Sequence, residues 1–524
     1  MPAGQWRGRA VDFSFDSRGR VEHAARMRAM PQFFAAPRHA LAAALIVAGA
    51  AGAARADTPA TACRLRGVEH AAQCGSVTRA LDPARPDGTK IEVRYAVLPA
   101  LARNKKPDPV FFFSGGPGQS AIDLAPSVAA MFPRFSNRRD VVLVDQRGTG
   151  QSAPLRCEAD DPTRSLAEQF DLNRQREGLT ACLAKLAALP YGDLRFYTTT
   201  IAMADIDAVR AAIGAERINL IGGSYGTRAA LEYQRQFPQR VRRAVIDGVA
   251  PPDMVLPRSF SADNQAAIDA LLAACRADRG CAAREPQLDE RWHALLASMP
   301  RTASVVHPMT GREERLVLTR DVLLGMVRGP LYAPALASAL PAAIGQASRG
   351  RFESLAALAS ALGGGRRTSA LAAGMHFAVV CAEDMPRIAA VGADAPGADF
   401  GNGLADLYRD VCPKLPRAEV PPAFYVVPPA PAATLVMSGG IDPVTPPRHG
   451  QRVAHALGAK ARHVVVPNAG HGVISLGCMR DVVYRFVDAA TDDEALKVDA
   501  DCAIAIPRPP MFAPLTVTPP ERAK

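Results

Sequence analysis

The sequence predicts an α/β fold in which a mostly parallel central sheet is covered by helices on both faces. In the first half of the chain, short apolar runs bounded by turn residues alternate with segments of helical periodicity, an alternation typical of a parallel sheet. From about residue 259 to residue 411 the periodicity is mainly helical, which predicts a large insertion. Strand-like runs return after it, so we expect the sheet to resume there.

The predicted strands and helices follow from this pattern. The strands are Ile91–Ala96, Pro109–Phe113, Val141–Val144, Ile218–Ile221, Ala244–Ile246, Thr434–Met437 and Arg462–Val466. The helices of the insertion are Gln265–Cys275, Leu288–Ser298, Thr319–Val327, Pro334–Gln346 and Phe352–Leu362. Because ligands of such folds bind at the carboxyl ends of the strands, we expect the insertion to cover that edge as a helical cap. The predicted divisions are residues 57–252 (first part of the core), 253–430 (cap) and 431–524 (second part of the core with a C-terminal tail).

Residues 1–56 are predicted to be a signal peptide. Basic residues precede the apolar segment Ala40–Ala54, and Ala54-Arg55-Ala56 matches a cleavage site. The apolar segment is too short for a spanning helix, although an uncleaved membrane anchor is the alternative. The polar region upstream is long for a signal, so we expect translation to begin at Met27 or Met30 and the mature chain to begin near Asp57.

A G-x-S-x-G pentapeptide, Gly222-Gly-Ser-Tyr-Gly226, joins a predicted strand to a predicted helix. In that context the serine lies on a tight, strained turn that lifts its hydroxyl clear of the sheet, and the flanking glycines let strand and helix approach closely. An ordinary glycine–serine turn is the alternative, because the pentapeptide alone occurs in many proteins. The strand–turn–helix context makes Ser224 the candidate nucleophile.

The acid and the base expected of an α/β-hydrolase follow in the required order, serine, then acid, then histidine. Asp442 lies in the loop after Thr434–Met437, and His471 lies in the loop after Arg462–Val466. We expect His471 to take the proton of Ser224 and Asp442 to orient the imidazole and stabilise its charged form. The other reading of Asp442 is a turn former before Pro443. Other histidines are less well placed: His449 and His455 on a predicted helix, and His463 at the start of a strand.

Backbone donors for an oxyanion are expected after the nucleophile and after an earlier strand. The earlier strand, Pro109–Phe113, leads into Ser114-Gly-Gly-Pro-Gly118, where the missing side chains allow close approach of a substrate. We assign the donors to the N–H groups of Gly116 and Tyr225. A plain turn is the alternative, and a phosphate-binding loop is disfavoured because no G-x-x-x-x-G-K-[ST] pattern is present.

Several motifs together resemble those of the proline iminopeptidase and tripeptidyl aminopeptidase family of serine exopeptidases, and most closely its secreted tripeptidyl aminopeptidase-like branch. They are Phe113-Ser-Gly-Gly-Pro-Gly118, Asp145-Gln-Arg-Gly-Thr-Gly-Gln-Ser152, Gly222-Gly-Ser-Tyr-Gly226, Asp247-Gly-Val-Ala-Pro-Pro252 and Gly440-Ile-Asp-Pro-Val-Thr-Pro-Pro447. The resemblance extends from about Cys63 to Cys502. It implies an α/β-hydrolase fold and removal of residues from peptide N-termini through an acyl-enzyme.

The resemblance also implies that carboxylates of the cap bind the substrate ammonium, which a buried carboxylate can do by charge-assisted hydrogen bonding. Glu383, with Asp384 as the alternate, is the candidate, and a helix-terminal or solvated acidic pair is the other reading. Asp145 and Arg147 are interpreted as scaffold residues. The family usually has His before the GGPG sequence, and this chain has Ser114, which makes strict proline specificity doubtful.

Composition limits the partners and the cellular compartment that we expect for the protein. The chain is 48% hydrophobic and 22% charged, as is ordinary for a globular protein. Its net charge is +11, but no dense run of basic residues occurs beyond residue 56, so nucleic-acid binding has little support.

An even number of cysteines, 10, argues for disulfides in an exported protein, periplasmic or secreted. Short loops favour the pairs Cys63–Cys74, Cys157–Cys182, Cys275–Cys281, Cys381–Cys412 and Cys478–Cys502. No C-x-x-C or H-E-x-x-H motif occurs, so we expect neither a metal nor a cofactor.

The sequence therefore predicts an exported serine aminopeptidase whose partner is a peptide with a free N-terminus, without stable membrane association after signal cleavage. A carboxylesterase or lipase with the same triad is the rival enzyme, since ester and amide hydrolysis share the serine chemistry. A binding protein on a hydrolase scaffold is the rival of another class.

Overall fold

The structure, a computed structural model, describes residues 58–158, 161–363, 371–389 and 399–513. The predicted signal peptide lies outside these residues. Within them the strands are β1 (Thr58–Cys63), β2 (Ala72–Ala80), β3 (Lys90–Leu98), β4 (Val110–Phe113), β5 (Val141–Val144), β6 (Ile218–Gly223), β7 (Val241–Asp247), β8 (Arg301–Val306), β9 (Glu313–Leu318), β10 (Thr434–Gly439) and β11 (Ala461–Val466).

One large sheet has the strand order β1-β2-β3-β5-β4-β6-β7-β10-β11 among the described residues. In this order the neighbours β5, β4, β6, β7, β10 and β11 pair in parallel, whereas β1, β2 and β3 add an antiparallel edge that pairs with β5. The predicted α/β-hydrolase fold with a mostly parallel sheet is confirmed. All predicted strands are present, but β1 and β2 were not predicted.

Helices cover both faces of the sheet. They are α1 (Ala125–Met131), α2 (Phe135–Arg138), α3 (Leu166–Gln169), α4 (Leu172–Ala187), α5 (Thr199–Ala212), α6 (Tyr225–Gln236), α7 (Leu256–Ala277), α8 (Arg279–Arg284), α9 (Leu288–Ala297), α10 (Arg320–Leu331), α11 (Pro334–Ala337), α12 (Leu340–Ser348), α13 (Glu353–Gly363), α14 (Ala373–Val379), α15 (Gly403–Val411), α16 (Pro447–Leu457), α17 (Met479–Asp488) and α18 (Asp492–Leu496). Along β5, Val142 and Val144 join the apolar core that contains α5, α6 and α16, and Val141 and Leu143 join the core that contains α1 and α17. Each fully buried Val or Leu stabilises the fold by roughly 1.5–3 kcal/mol, which explains why strands buried on both faces read as continuous apolar runs.

The insertion between β7 and β10 has an apolar core of its own, which includes Trp292 and Phe352. Its predicted helices are found with one correction: Pro334–Gln346 is two helices, α11 and α12, rather than one. Pro341 lies in the first turn of α12, where its missing N–H costs nothing and its ring favours a helix start. The antiparallel hairpin of β8 and β9 was not predicted.

Five disulfides join the cysteines in the pairs that loop length favours: Cys63–Cys74, Cys157–Cys182, Cys275–Cys281, Cys381–Cys412 and Cys478–Cys502. All 10 cysteines lie within the described residues, and none of them is free. Such closed loops stabilise a fold mainly by restricting the unfolded chain, typically by about 2–4 kcal/mol each. The Cys381–Cys412 bond fixes the segment that carries Glu383 to the end of α15.

Candidate active site

Ser224 lies on the turn between β6 and α6, in a backbone conformation that is rare for a residue with a side chain. Its φ is 56° and its ψ is −124°. Gly222 and Gly226 permit this turn, because a Cβ on Gly222 would collide with the Gly226 carbonyl and one on Gly226 with the Phe113 carbonyl. Strained conformations of this kind cluster at functional sites. The turn therefore has the geometry expected of a nucleophile elbow.

Asp442 and His471 form a hydrogen-bonded pair at the carboxyl ends of β10 and β11. His471 Nδ1 lies 2.8 Å from Asp442 Oδ2. Asp442 is held in turn, since its Oδ1 accepts the N–H groups of Val444 and Thr445 at 2.9 Å each, and its Oδ2 accepts the Thr445 hydroxyl at 2.8 Å. The carboxylate is thus fixed in one orientation towards the imidazole.

Ser224 and His471 lie on either side of the end of β7. Ser224 N donates to the carbonyl oxygen of Asp247 at 2.9 Å. A Cβ on the next residue, Gly248, would lie 3.2 Å from His471 Cε1, so the imidazole passes close to this glycine. Ser224 Oγ makes no hydrogen bond within the described residues, and catalytic hydrogen bonds commonly tighten only when substrate binds.

The electrostatics of the pair suit a general base. Burial by itself would raise the pKa of Asp442, but the charge and hydrogen bond of His471 and two backbone N–H groups outweigh burial and lower it. Burial would lower the pKa of His471, but the charge and hydrogen bond of Asp442, with a smaller contribution from Asp247, outweigh burial and raise it. The pair therefore favours a carboxylate beside an imidazole that accepts a proton readily.

The raised pKa of His471 predicts the pH dependence of hydrolysis. The base must be neutral to accept the proton of Ser224, so activity is lost as the pH falls through the pKa of His471. We expect the acid limb of kcat/KM to lie above the ordinary histidine value of 6.5. A pH profile with a neutral ester substrate measures this limb, and a limb below 6.5 would contradict the predicted role.

Of the two predicted oxyanion donors, one begins the helix that follows the nucleophile and the other lies in the loop after β4. Tyr225 is the first residue of α6, and the first N–H groups of a helix have no partner within it. Gly116 has a φ of 114°, and its N–H donates to nothing within the described chain. The neighbouring Gly115 would place a Cβ 3.1 Å from the Ser224 Cβ, so this loop lies directly against the nucleophile.

Glu383 and Asp384, the predicted ammonium ligands, both contact Arg228 of α6. Glu383 Oε2 lies 3.3 Å from the guanidinium, and Asp384 forms two contacts of 3.0 Å. All three side chains are fully buried. Glu383 also accepts the N–H and the hydroxyl of Thr199, and that hydroxyl lies 2.7 Å from the phenol of Tyr225. The structure thus gives both carboxylates partners within the chain, on the helix that begins at the nucleophile.

This cluster contains one carboxylate more than the single guanidinium can neutralise. Burial raises the pKa of Glu383 to about 7, against the opposing effects of Arg228 and Thr199. Glu383 therefore takes up a proton close to neutral pH, or retains its charge when another cation is near.

The scaffold interpretation of Asp145 and Arg147 agrees with their contacts. Arg147 forms a two-pronged ion pair with Asp205, at 2.6 and 2.9 Å. Asp145 accepts the Ser120 hydroxyl at 2.7 Å and two backbone N–H groups. Asp145 thus holds the loop that follows Gly118, and Arg147 joins α5 to the end of β2.

Sequence reasoning missed three residues that contact the site. The Thr445 hydroxyl, which donates to Asp442, also lies 3.2 Å from His471 Nδ1. The backbone carbonyl of Tyr332, from the insertion, accepts the backbone N–H of His471 at 3.0 Å, and the Tyr332 ring lies edge-on to the imidazole. The sequence contains a signal for Arg228, because a charged residue one turn after the nucleophile, on a helix that must be buried, needs a partner of opposite charge. It contains no such signal for Tyr332.

Comparison with known proteins adds independent evidence. The family described as alpha/beta hydrolase fold matches residues 108–269, and the family described as TAP-like protein matches residues 397–502. Serine protease Hip1 of Mycobacterium tuberculosis is 27% identical over 455 residues, which cover 80% of this chain and 86% of that protein. A tripeptidyl aminopeptidase of Streptomyces lividans is 31% identical over 195 residues, 34% of this chain and 36% of its own. A proline iminopeptidase of Neisseria meningitidis is 29% identical over 141 residues, 27% of this chain and 32% of its own.

The fold and these matches together define a serine hydrolase. The chain belongs to the family of α/β-hydrolases that includes the tripeptidyl aminopeptidases and the proline iminopeptidases.

Proposed function

We propose that this protein is an exported serine aminopeptidase that removes residues from the N-termini of peptides through an acyl-enzyme on Ser224. The observation that carries the proposal is the hydrogen-bonded pair of Asp442 and His471 beside a strained serine, in the chain order of the fold. The names of the relatives, a serine protease, a tripeptidyl aminopeptidase and a proline iminopeptidase, support a peptide as the substrate.

In the proposed reaction Ser224 Oγ attacks the scissile carbonyl while His471 takes its proton. The negative charge that develops on the carbonyl oxygen is bound by the N–H groups of Gly116 and Tyr225. His471 then donates the proton to the leaving amine, and a water activated by the same imidazole hydrolyses the acyl-enzyme. Asp442 stabilises the imidazolium in both steps.

The insertion, residues 253–430, is proposed to be a cap that controls access to Ser224. Two contacts support this role. Tyr332 lies against His471, and Ala372 N donates to the Gly118 carbonyl of the oxyanion loop at 2.9 Å. The insertion therefore contacts the site on the base side and on the oxyanion side.

The predicted ammonium ligand, Glu383 with Asp384 as the alternate, remains part of the proposal. The excess carboxylate of the cluster around Arg228 and the raised pKa of Glu383 support it, because both mark a site that favours an added cation. Both carboxylates are buried, so a substrate ammonium must enter the existing network of Arg228 and Thr199. The test must therefore separate ammonium binding from packing.

Neutralising the ammonium ligand, as in Glu383→Gln, is expected to weaken transition-state binding of free-amine peptides by roughly 2 to 5 kcal/mol, because the substrate cation loses its partner. The measurement is kcat/KM for a free-amine peptide, for the same peptide N-acetylated, and for p-nitrophenyl acetate. Ammonium binding predicts a loss for the free-amine peptide alone. An equal loss for all three substrates identifies a packing role instead, and Asp384→Asn then tests the alternate.

Product analysis tests the proposed function itself. Purified enzyme is incubated with a defined peptide of about ten residues, and the fragments are identified by mass spectrometry over time. The proposal predicts that fragments appear in order from the N-terminus, and their length gives the number of residues released per cleavage. Internal cleavage, or hydrolysis of esters without any cleavage of peptides, would overturn it in favour of an endopeptidase or an esterase.

Export is proposed from the predicted signal and the five disulfides. Among the helices of the described residues, none is long and apolar enough to cross a membrane.

If the protein is exported, we expect N-terminal sequencing of the periplasmic or secreted protein to give a sequence that begins near Asp57. When the protein is isolated from its natural compartment and then denatured, thiol titration is expected to detect almost no free thiol. A protein with most of its cysteines reduced would contradict export.

A further inference from the structure

Asp247, the last residue of β7, is a buried carboxylate that the proposed triad does not use. Its side-chain Oδ2 accepts the N–H groups of Val473 and Ile474 at 2.7 and 2.8 Å. Its Oδ1 has no hydrogen-bond partner within the described residues, and the residue is only 3% exposed. A buried charge with an unpaired oxygen is costly, so its presence calls for a physical reason.

The two N–H groups bound by Asp247 belong to the segment that directly follows His471 and Gly472. The same residue contacts the nucleophile from its other side, since its carbonyl accepts the N–H of Ser224 at 2.9 Å. One residue is therefore bonded both to the nucleophile turn and to the loop of the base. The distance between these two loops is set through Asp247.

Gly248 extends this arrangement to the third loop of the site. Its N–H donates to Met437 O, on the strand that leads to Asp442, at 3.1 Å. A Cβ on Gly248 would lie 3.3 Å from the Thr445 hydroxyl and 3.2 Å from His471 Cε1. The end of β7 thus lies at the point where the loops of nucleophile, acid and base converge.

The charge of Asp247 also acts on the imidazole. The titratable groups around His471 are Asp442, Asp247 and, from the insertion, Tyr332. Burial lowers the pKa of His471, and the charges of Asp442 and then Asp247 raise it. Burial raises the pKa of Asp247 itself to about 6, opposed by the two backbone N–H groups and by His471. The charges of two carboxylates therefore act on one imidazole.

We propose that Asp247 is a positioning residue, which holds the His471 loop against the Ser224 turn through two backbone hydrogen bonds and stabilises the imidazolium with its charge. This inference rests on the proposed roles of Ser224 and His471. The hydrogen bonds of Asp247 within the described residues come from backbone N–H groups and not from the Ser224 hydroxyl, so its removal should change kcat and the pH profile rather than KM.

Two substitutions separate geometry from charge. Asp247→Asn keeps the volume and an acceptor for both N–H groups but removes the charge, whereas Asp247→Ala removes both. The matched control is Asp108→Asn, because Asp108 is also buried and accepts Arg139 and Asn219, yet precedes β4 at the opposite end of the sheet. The readouts are the rate at which a fluorophosphonate labels Ser224 as a function of pH, kcat and KM for p-nitrophenyl acetate, and the melting temperature.

Asp247→Ala is expected to lower kcat and the labelling rate roughly 100-fold, because loss of alignment between base and nucleophile by about 1 Å has effects of that size. Asp247→Asn is expected to lose less, with the acid limb moved to lower pH and KM unchanged. Asp108→Asn is expected to lose stability only, with the acid limb in place.

The inference is overturned if Asp247→Asn leaves the acid limb where wild type has it, or if Asp247→Asn loses no more rate than Asp108→Asn does at a comparable loss of melting temperature. Should Asp247→Ala fail to fold, Asp247→Asn decides by the same criterion. If the probe does not label Ser224 in wild type, the proposed function fails, and that outcome is distinct from a failure of this inference.

Discussion

Ser224→Ala is expected to lower kcat on the order of 10⁶-fold while leaving the fold intact, because the acyl-enzyme cannot form without the hydroxyl. The methyl group of alanine occupies the same strained turn, which is held by the Ser224 N–H to Asp247 and by the close approach of β6 and α6 rather than by the hydroxyl. Hydrolysis of a free-amine chromogenic peptide and of p-nitrophenyl acetate should be lost together, with an unchanged melting temperature.

A fluorophosphonate probe provides the second half of this test. It should label wild type at Ser224 and fail to label the Ala variant. Ser76→Ala is the control, since Ser76 is a buried serine of β2 that donates to Glu92 on the antiparallel edge of the sheet, and this variant should be labelled at the wild-type rate. Labelling of another residue, or more than about a hundredth of wild-type activity in Ser224→Ala, would refute the assignment of the nucleophile.

Asp442→Asn is expected to lower kcat about 10⁴-fold, the second largest effect. The amide preserves the shape of the carboxylate but presents either a donor to His471 Nδ1, which favours the wrong tautomer, or a neutral oxygen, which does not stabilise the imidazolium. The pKa of His471 is raised by this carboxylate. The acid limb of the residual activity should therefore move to lower pH.

The measurement is the pH profile of kcat for a neutral ester in wild type, Asp442→Asn and the Asp108→Asn control. A loss of less than tenfold in Asp442→Asn, or an acid limb that stays in place, would mean that Asp442 is only the turn former of the alternative reading.

The sheet was largely predictable because parallel strands that are buried on both faces leave a strong signal. Val141–Val144 has no polar residue and is buried throughout. Two strands of the antiparallel edge, β1 and β2, were not predicted, because β2 reads Ala-Gln-Cys-Gly-Ser-Val-Thr-Arg-Ala, with few apolar side chains. The fold class thus follows from the central strands, whereas the edge depends on pairing that no local pattern encodes.

The hairpin of β8 and β9 shows a different failure. The side chains of β8 alternate, with Ala303 and Val305 buried and Thr302 and Ser304 exposed, and the turn that follows lies at residues 308–310. That period-2 signal is only six residues long in each strand and lies within a mainly helical region, so it is a weak signal for a strand there.

The loops that carry Ser224, Asp442 and His471 could be chosen from the sequence because the fold fixes their order and their place after particular strands. The residues that hold them could not be chosen in that way. Asp247 was visible within a family motif, but its bonds to Val473 and Ile474 depend on how two loops meet in space. Likewise, the ion pairs of Arg228 join segments more than 150 residues apart, and no spacing rule connects them.

Trapping the acyl-enzyme tests the central claim most directly. Wild-type enzyme is mixed with a free-amine peptide p-nitroanilide, quenched in acid within the first turnovers, digested with trypsin and analysed by mass spectrometry. The account predicts that the peptide Ile218–Arg228, which contains Ser224, gains the mass of the N-terminal acyl fragment with its amine free. An adduct on any other residue, or release of nitroaniline without any covalent adduct in a sample that shows a kinetic burst, would contradict it.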